Sequence, residues 1–588
     1  MFKRLRPLVP YLKRYRTGLL WGGLSVLLSN AAWILFPLII KRAIDDMQRG
    51  VTQQKIFHYA LLIIAVSIVK GTFLFLMRWV LIGVSRDIEL DLRNDIFTNL
   101  ERQSQSFYHT HRTGDIMART TNDLNAVRQL LGPAIMYSAN TVAFTVGALY
   151  FMLHISPWLT LCAFVPLPIA SVMVQYFGHR IHFRFERIQA MFSDISAKVE
   201  ENFSGARLIR AFAQEEAEIA SFERANQEYI GRSLHLVRLM GMLWPTLEFV
   251  LGLSLVLTLF VGGREVVLGH ITPGSFVAFN TYMVLLTWPM IALGWVINLF
   301  QRGTASVTRI DELLRQKPDI ADNEIDPSIA ANSLLNGDIE FRNLSFAYAE
   351  EGGHHTEILH NINLHIPAGS SLAIVGPTGS GKSTLVGLIP RLHEAPAGTL
   401  FMDGRSVRDY PLATLRHSIG YVPQETFLFS DTIRENIAFG APGATKEDIR
   451  HAATAAHICD EILEFPRGFD TVVGERGITL SGGQKQRTAI ARAVIRNPRI
   501  LVLDDALASV DTYTEEQILD ELRRIMQGRT TIFISHRVST VRNADRIAVL
   551  VAGRIAELGT HDELLARNGY YTSLCEKQRL EEEIAVAG

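Results

Sequence analysis

The sequence predicts a helical membrane domain of six spans with long helical extensions, joined to an α/β domain built around a phosphate-binding loop. Three observations predict it. Long charge-free apolar stretches recur through the first 300 residues, short β-branched runs alternate with amphipathic helices after residue 337, and one such run leads directly into GPTGSGKS. Composition agrees: 48% of the 588 residues are hydrophobic and 20% are charged, and mean hydropathy lies slightly above zero. At roughly 100–200 residues per domain, two to four domains are expected. The 58 Lys plus Arg against 59 Asp plus Glu argue against a nucleic-acid partner, whose phosphates would call for a basic excess. Cys162, Cys459 and Cys575 form no CxxC and have no nearby His cluster. They read as free thiols in a reducing compartment.

Residues 18–40 contain no charged side chain, which is long enough to cross a hydrocarbon core of roughly 30 Å. The preceding MFKRLRPLVPYLKRYRT carries six basic residues and no acid. The apolar run is too long for a signal-peptide core and reads as a retained first span behind a basic interfacial helix. A second span covers about 56–84, interrupted by Lys70 and Arg78. No Lys, Arg, Asp or Glu occurs between Arg128 and Arg180, and His154, Ser156 and Pro157 mark a tight turn between spans three and four, at 131–153 and 157–177. Spans five and six follow at 239–263, with Glu248 inside, and at 276–300. The expected division is a membrane domain over 1–314, a polar linker over 315–337 and an α/β domain over 338–588.

Orientation follows the distribution of Lys and Arg in the flanks. The N-terminus and segments 86–128 and 180–238 are Arg-rich, and the turns near 154–157 and 264–270 are nearly free of basic charge. The Arg-rich side therefore faces the cytoplasm, with both termini and the α/β domain, in a multi-pass protein of the cytoplasmic (inner) membrane. Lys41, Arg42, Arg49 and Lys55 in the first outer loop run against this locally, beside Asp45 and Asp46. Segments 86–128 and 180–238 have helical spacing and few breakers, so the membrane helices are expected to continue as stalks. Thr113-Gly114-Asp115 and Ser204-Gly205 interrupt them. Either break suits a short transverse helix at a stalk tip or an ordinary helix-hairpin turn.

The strand Ser371–Val375 runs into Gly376, Pro377, Thr378, Gly379, Ser380, Gly381, Lys382, Ser383 and Thr384, followed by a helix. This is GxxxxGK[ST] in its strand-loop-helix setting, where backbone N–H groups and a helix N-terminus surround phosphates. Lys382 would contact the β and γ phosphates and the Ser383 hydroxyl would ligate Mg²⁺. The apolar run 500–503 ends in Asp504 and Asp505. At the C-terminal end of a strand, Asp504 becomes the Mg²⁺-side carboxylate, and Asp505 is placed to orient or deprotonate water. A further strand, 531–534, brings Ser535 and His536 to the same edge. Leu480, Ser481, Gly482, Gly483 and Gln484 open another helix and form a second anion-binding end. One nucleotide needs no second phosphate loop, so this loop is expected to cap a nucleotide held by another copy of the domain.

Together, GPTGSGKS, LSGGQ, LVLDD, VPQ with Gln424, and Ser535-His536 resemble the nucleotide-binding domain of ATP-binding cassette (ABC) transporters. LSGGQ is much more specific than the phosphate loop. The preceding spans resemble the exporter class, in which membrane and ATPase domains share a chain. The resemblance covers essentially the whole sequence. It implies an α-helical six-span transmembrane domain with long cytoplasmic extensions, fused to an α/β P-loop ABC nucleotide-binding domain that uses ATP and Mg²⁺. It also implies that Tyr348 stacks on adenine, that Gln424 ligates Mg²⁺ and senses the membrane domain, and that His536 acts as the switch on the γ-phosphate. Lys382, Gln424, Asp505 and His536 form the catalytic set, and Ser383, Gln424 and Asp504 the metal set. By the same resemblance Glu475 contacts the partner's cytoplasmic tips, residues 508–511 (ASVD) lie at the dimer interface, and TGDIMARTTND and ENFSGARLIRAF are coupling regions.

The family usually places Glu where this chain has Asp505. One methylene less withdraws the carboxylate by roughly 1–1.5 Å, and about 1 Å of misplacement can lower a rate on the order of 100-fold. Slow hydrolysis is expected, unless a backbone shift lets Asp505 act as the base. In heterodimeric exporters one subunit carries an altered catalytic Glu with an intact signature. LDDALASVD and TWPMIALGW look like the multidrug resistance-like half-transporters that work in pairs. The expected partner is therefore a second half-transporter carrying the catalytic Glu, and the expected cargo is a hydrophobic small molecule or lipid. A homodimer with a working Asp505, and an ATP-gated channel or regulatory subunit, are the alternatives.

Ionisable groups inside spans are costly and usually face a cavity or a partner helix. Lys70, Arg78 and Glu248 are read either as a site for charged amphipathic substrates or as interhelical and snorkelling groups. Phe279, Tyr282, Trp288 and Trp295 in span six offer aromatic surface to a ligand or to packing.

Overall fold

The computed structural model describes residues 2–587 apart from 323–324, 327–328, 330–334, 350–354, 475–476, 478, 507–517, 519–520 and 522–523. The chain divides into two compact units. One comprises Met1–Phe97 and Met117–Arg315, the other Thr98–Ile116 and Gln316–Gly588.

The first unit is helical. Arg16–Gln48, Gln53–Glu101, Thr113–Ile155, Glu215–Val267 and Pro273–Arg315 are each long and apolar enough to cross a membrane. Their ends follow local chemistry. Pro273 opens the last of them, Asp45 accepts from the Gly274 N–H at 2.8 Å, and the Thr272 hydroxyl accepts from the Ser275 N–H at 3.1 Å. The stretch expected as span four is divided into Pro157–Phe164, capped by the Ser156 hydroxyl, and Leu167–Ser204. Pro166 and Pro168 each lack an N–H, so a continuous ladder through 165–168 is lost.

The second stalk break falls as expected, with the short helix Ala206–Ala211 after Gly205. The first does not. Gly114 lies inside a helix, and the chain turns instead on either side of Gln105–Thr110. That short helix belongs to the second unit, where the Ser104 and Ser106 hydroxyls donate to Asp319 at 3.1 and 3.0 Å.

Small residues bring the membrane helices together. A Cβ on Gly147 would stand 2.2 Å from Ile34, one on Gly22 2.3 Å from Leu81, and one on Gly303 2.5 Å from Leu130. Phe279 and Tyr282 are buried in a cluster with Ile34, Phe144 and Met152, and the Tyr282 hydroxyl donates to the Ile34 carbonyl at 2.7 Å. Trp288 and Trp295 are exposed on the single chain. Lys70 lies over the Trp33 ring. Arg78 and Glu248 are exposed. Two π-helical turns, Arg119–Asp123 and Leu130–Ala134, interrupt the Thr113–Ile155 helix. At the first, buried Asp123 accepts from the Ser306 hydroxyl at 2.8 Å and from Arg309 Nε at 2.7 Å.

Among the described residues the second unit holds two sheets. Six strands, β3 (Ser371–Val375), β6 (Ile419–Val422), β7 (Ile500–Asp504), β8 (Thr530–Ile534), β9 (Arg546–Val551) and β10 (Arg554–Gly559), are ordered β10-β9-β3-β8-β7-β6. All neighbours are parallel except β10 with β9. Ala373 and Val375 enter one apolar cluster and Leu372 and Ile374 the other, which is why SLAIV is apolar without alternation. The second sheet is antiparallel, with order β2-β1-β4-β5, from β1 (Ile339–Ala349), β2 (His355–Ile366), β4 (Leu400–Met402) and β5 (Arg405–Ser406). It adds an antiparallel part to the largely parallel domain expected, and its first strand carries Tyr348.

Candidate nucleotide site

Glycine makes the turn after β3 possible. Gly376 has φ +152 and a Cβ there would meet the Leu550 carbonyl at 2.0 Å; Gly381 has φ +96 and immediately precedes the helix Lys382–Leu388. The loop closes around Lys382, which is 7% exposed and donates to the Gly376 and Pro377 carbonyls at 2.9 Å each. Burial pushes its ammonium below the usual lysine range, against the pull of the Asp505 and Asp504 carboxylates. The Ser380 hydroxyl is buried without a hydrogen-bond partner among the described residues.

The strand ends supply the acids. Asp504, 3% exposed at the end of β7, accepts from the Ser383 hydroxyl at 3.0 Å. Burial pushes its carboxyl above the usual range; the Asp505 charge adds to this, whereas the Ser383 bond and Lys382 oppose it. Asp505 turns the chain with φ +48 and donates its N–H to the Ile534 carbonyl at 3.2 Å. His536 follows β8, and its main-chain carbonyl accepts from Gln578.

These groups meet in a cavity of roughly 300 Å³. Tyr348, Thr378, Gly379, Ser380, Gly381, Lys382, Ser383, Thr384, Gln424, Asp504, Asp505 and His536 line it. Gly376 and Pro377 take part through the carbonyls that hold Lys382. Tyr348 shares a hydrogen bond with Thr384 at 3.1 Å, and its ring meets His393 edge-on at 5.1 Å. Ile358 and Ile534 also line the cavity, and sequence reasoning missed both. Ile358 sits on β2, a strand that no motif announced. Ile534 closes the TIFI run, where its apolar character reads as core.

Ser481, Gly482, Gly483 and Gln484 are not among the lining residues. They open the helix Gly482–Val494 in a reciprocal cap: Ser481 Oγ accepts from the Gln484 N–H at 3.3 Å, and Gln484 Oε1 accepts from the Ser481 N–H at 2.9 Å. Gln484 also donates to Glu461 at 2.9 Å, which pairs with Arg487 at 2.6 Å. Ser481 and Gly482 are exposed. Glu475 and residues 508–511 lie outside the described residues.

The donor set fits a magnesium nucleotide. Ser383, Gln424 and Asp504 offer only hard oxygens, and Lys382 and the unpartnered Ser380 hydroxyl sit beside them. Among the described residues no group of three or more His, Cys, Asp or Glu could hold a metal by itself. An ion here would therefore share its coordination with phosphate oxygens and water, as Mg²⁺ commonly does.

A phosphate-loop ATPase unit on one chain with a bundle of membrane-crossing helices defines an ATP-driven membrane transporter. The chain belongs to the ABC transporter family: residues 19–290 match the ABC transporter transmembrane region and residues 359–508 the ABC transporter domain. It is 37% identical over 586 residues to the ATP-dependent lipid A-core flippase of Syntrophus aciditrophicus (strain SB), covering 99% of this chain and 95% of that one. It is 36% identical over 566 residues to the multidrug resistance-like ATP-binding protein MdlA of Escherichia coli (strain K12), covering 95% and 94%. A solved bacterial Atm1-family ABC exporter with ATP bound matches with TM-score 0.78 at 29% identity, over 96% of this chain and 99% of that one. The protein is thus a multi-pass membrane ATPase coupled to transport, with the exporter fold.

Proposed function

We propose that this chain is one half of a heterodimeric exporter. The pair moves hydrophobic or amphipathic compounds, drug-like or lipid-like, out across the cytoplasmic membrane by alternating access. Six spans over 1–314 cross the membrane, the fourth through the broken pair Pro157–Phe164 and Leu167–Ser204, with both termini and the ATPase domain in the cytoplasm. The names of the flippase and multidrug relatives support the cargo class.

The observation that carries the two-subunit reading is the separation of LSGGQ from the cavity. A nucleotide held by this chain's phosphate loop has Lys382 and Ser380 on its phosphates, Tyr348 at its base, and Gln424, Asp505 and His536 near the reacting end. Ser383, Gln424 and Asp504 would hold Mg²⁺, which would supply positive charge against the phosphates. Ser481 and Gly483 are exposed or half-buried at a helix N-terminus elsewhere, so they suit a nucleotide on a second subunit. With Asp in place of the usual Glu, this chain's own site holds ATP and hydrolyses it slowly, and its signature completes the competent site of a partner that carries Glu.

The test is ATPase activity of the purified chain alone and with a candidate partner, sought first in an adjacent gene. Low activity alone and robust activity in the pair is the expected result. Robust turnover by the chain alone, abolished by Asp505→Asn, would overturn the heterodimer in favour of a homodimer.

A further inference from the structure

The helix Leu167–Ser204 leaves the charge-free stretch at Arg180, its first charged side chain. With the cytoplasmic orientation proposed above, that residue marks the level where hydrocarbon gives way to headgroups. Arg184, Arg187 and Ile188 continue its face at i+4, i+7 and i+8, and the helix Glu215–Val267 brings Arg232 and His235 opposite. With Phe183 they enclose a cleft of roughly 510 Å³.

Three of its four arginines lack a carboxylate partner among the described residues. No carboxylate among the described residues lines the cleft. Arg232 pairs with Glu228 on its own helix, but Arg180, Arg184 and Arg187 have no ion pair among the described residues. Arg180 lies over the Tyr176 ring at 4.4 Å and Arg187 over Phe183 at 4.3 Å. The nearby acid, Glu186, is turned to another face and pairs with His182 at 3.2 Å. A general excess of Arg on the cytoplasmic side explains basic residues here, but not their convergence from two helices on one cleft. Like charges so gathered repel, and an anion between them relieves that repulsion.

We propose that this cleft binds an anionic phospholipid of the cytoplasmic leaflet, its phosphate held by Arg180, Arg184, Arg187 and Arg232. The apolar stripe that continues from the cleft favours a lipid over free phosphate. Tyr176, Val172 and Ile169, at i−4, i−8 and i−11 from Arg180, are 52%, 67% and 50% exposed and offer an acyl chain a track into the membrane. The bound lipid is a resident component, separate from the transported cargo.

The test uses the detergent-purified full-length transporter with its partner subunit, and native mass spectrometry with added phosphatidylglycerol or phosphatidylcholine. Phosphatidylglycerol should be retained preferentially, and Arg184→Gln/Arg187→Gln should lower its retention about tenfold. Arg184→Lys/Arg187→Lys, which keeps the charge, should preserve most of it. Arg207→Gln/Arg224→Gln, which removes equal charge outside the cleft, should leave it unchanged. Equal loss in that control, unaltered retention in the Gln pair, or full displacement of the lipid by millimolar inorganic phosphate would each overturn the proposal. The measurement needs no ATP hydrolysis, so its failure is distinct from failure of the heterodimer reading.

Discussion

Two adjacent aspartates carry different burdens. Asp504 is buried and hydrogen-bonded to Ser383, and its raised pKa has a definite consequence for stability. A carboxyl whose pKa is raised in the fold favours folding only while protonated. That contribution is complete below the ordinary Asp value of about 3.9 and is lost as pH rises through the raised value. Toward neutral pH the burial of Asp504 therefore costs the nucleotide-free fold stability. Asp504→Asn should raise the unfolding midpoint of the nucleotide-free protein by roughly 2–4 °C, the shift that about 1 kcal/mol makes in a domain of this size. The same substitution should abolish stabilisation by Mg²⁺-ATP; a lowered midpoint in calorimetry would contradict the account. Asp505, in contrast, is limited by reach in the proposed function. In the purified chain Asp505→Glu should raise ATPase activity about tenfold or more, since the longer side chain recovers most of the roughly 1 Å deficit. An unchanged rate would show that reach is not what limits the site. Both aspartates stood out in the sequence because a fully apolar strand ends on them. Ile358 could not, because an isoleucine in a strand looks the same whether it faces core or ligand.

Helix crossings in the first unit depend on glycines whose neighbours are already in contact range. A Cβ on Gly147 would stand 2.2 Å from Ile34 Cδ1, whereas one on Gly71 or Gly83 would meet nothing within 4 Å. Gly147→Leu should therefore lower the thermal midpoint of the detergent-solubilised protein, by overpacking that costs about 1–3 kcal/mol, while Gly71→Ala stays neutral or stabilises slightly. Equal effects on a fluorescence-detected melting curve would show that the crossing does not set the packing. The pattern of charge made the long helices legible, because a run without Lys, Arg, Asp or Glu has one physical meaning at that length. It could not show that the stretch through Pro166 divides, since hydropathy is blind to a missing N–H. It also misjudged the first stalk tip. Thr113-Gly114 has breaker chemistry, yet Gly114 sits within a helix, and the chain turns where Ser104 and Ser106 bond to Asp319, more than 200 positions away in sequence. The antiparallel sheet escaped for a similar reason. Strands β4 and β5 are three and two residues long, too short for any alternation, and they exist because β1 supplies the pairing.

For the molecule as a whole, Ser481–Gln484 do not line the cavity of the phosphate loop, and in the proposed function substitutions in the two act on different nucleotides. If the working unit were two identical copies, removing Lys382 and obstructing Ser481 would each disable both sites, and their effects would be alike. In the proposed heterodimer they diverge. Ser481→Arg places a cation and bulk at the helix N-terminus that faces the partner's nucleotide, the one hydrolysed quickly, and steady-state ATPase activity of the pair should fall at least about tenfold, as happens when one preorganised group at a reacting site is lost. Lys382→Ala weakens nucleotide held in the slow site, which contributes little to turnover, and activity should fall by no more than about threefold. Nucleotide retention should show the opposite order: Lys382→Ala loses the ATP that stays bound through many cycles of partner turnover, and Ser481→Arg keeps it. Loss of the Ser481 cap alone, about 1 kcal/mol of helix stability, is separated by Ser481→Thr, which keeps a capping hydroxyl and should keep most activity. Equal inactivation by Lys382→Ala and Ser481→Arg in the purified pair would mean two equivalent sites. The shortened side chain of Asp505 would then have to serve as the base in both.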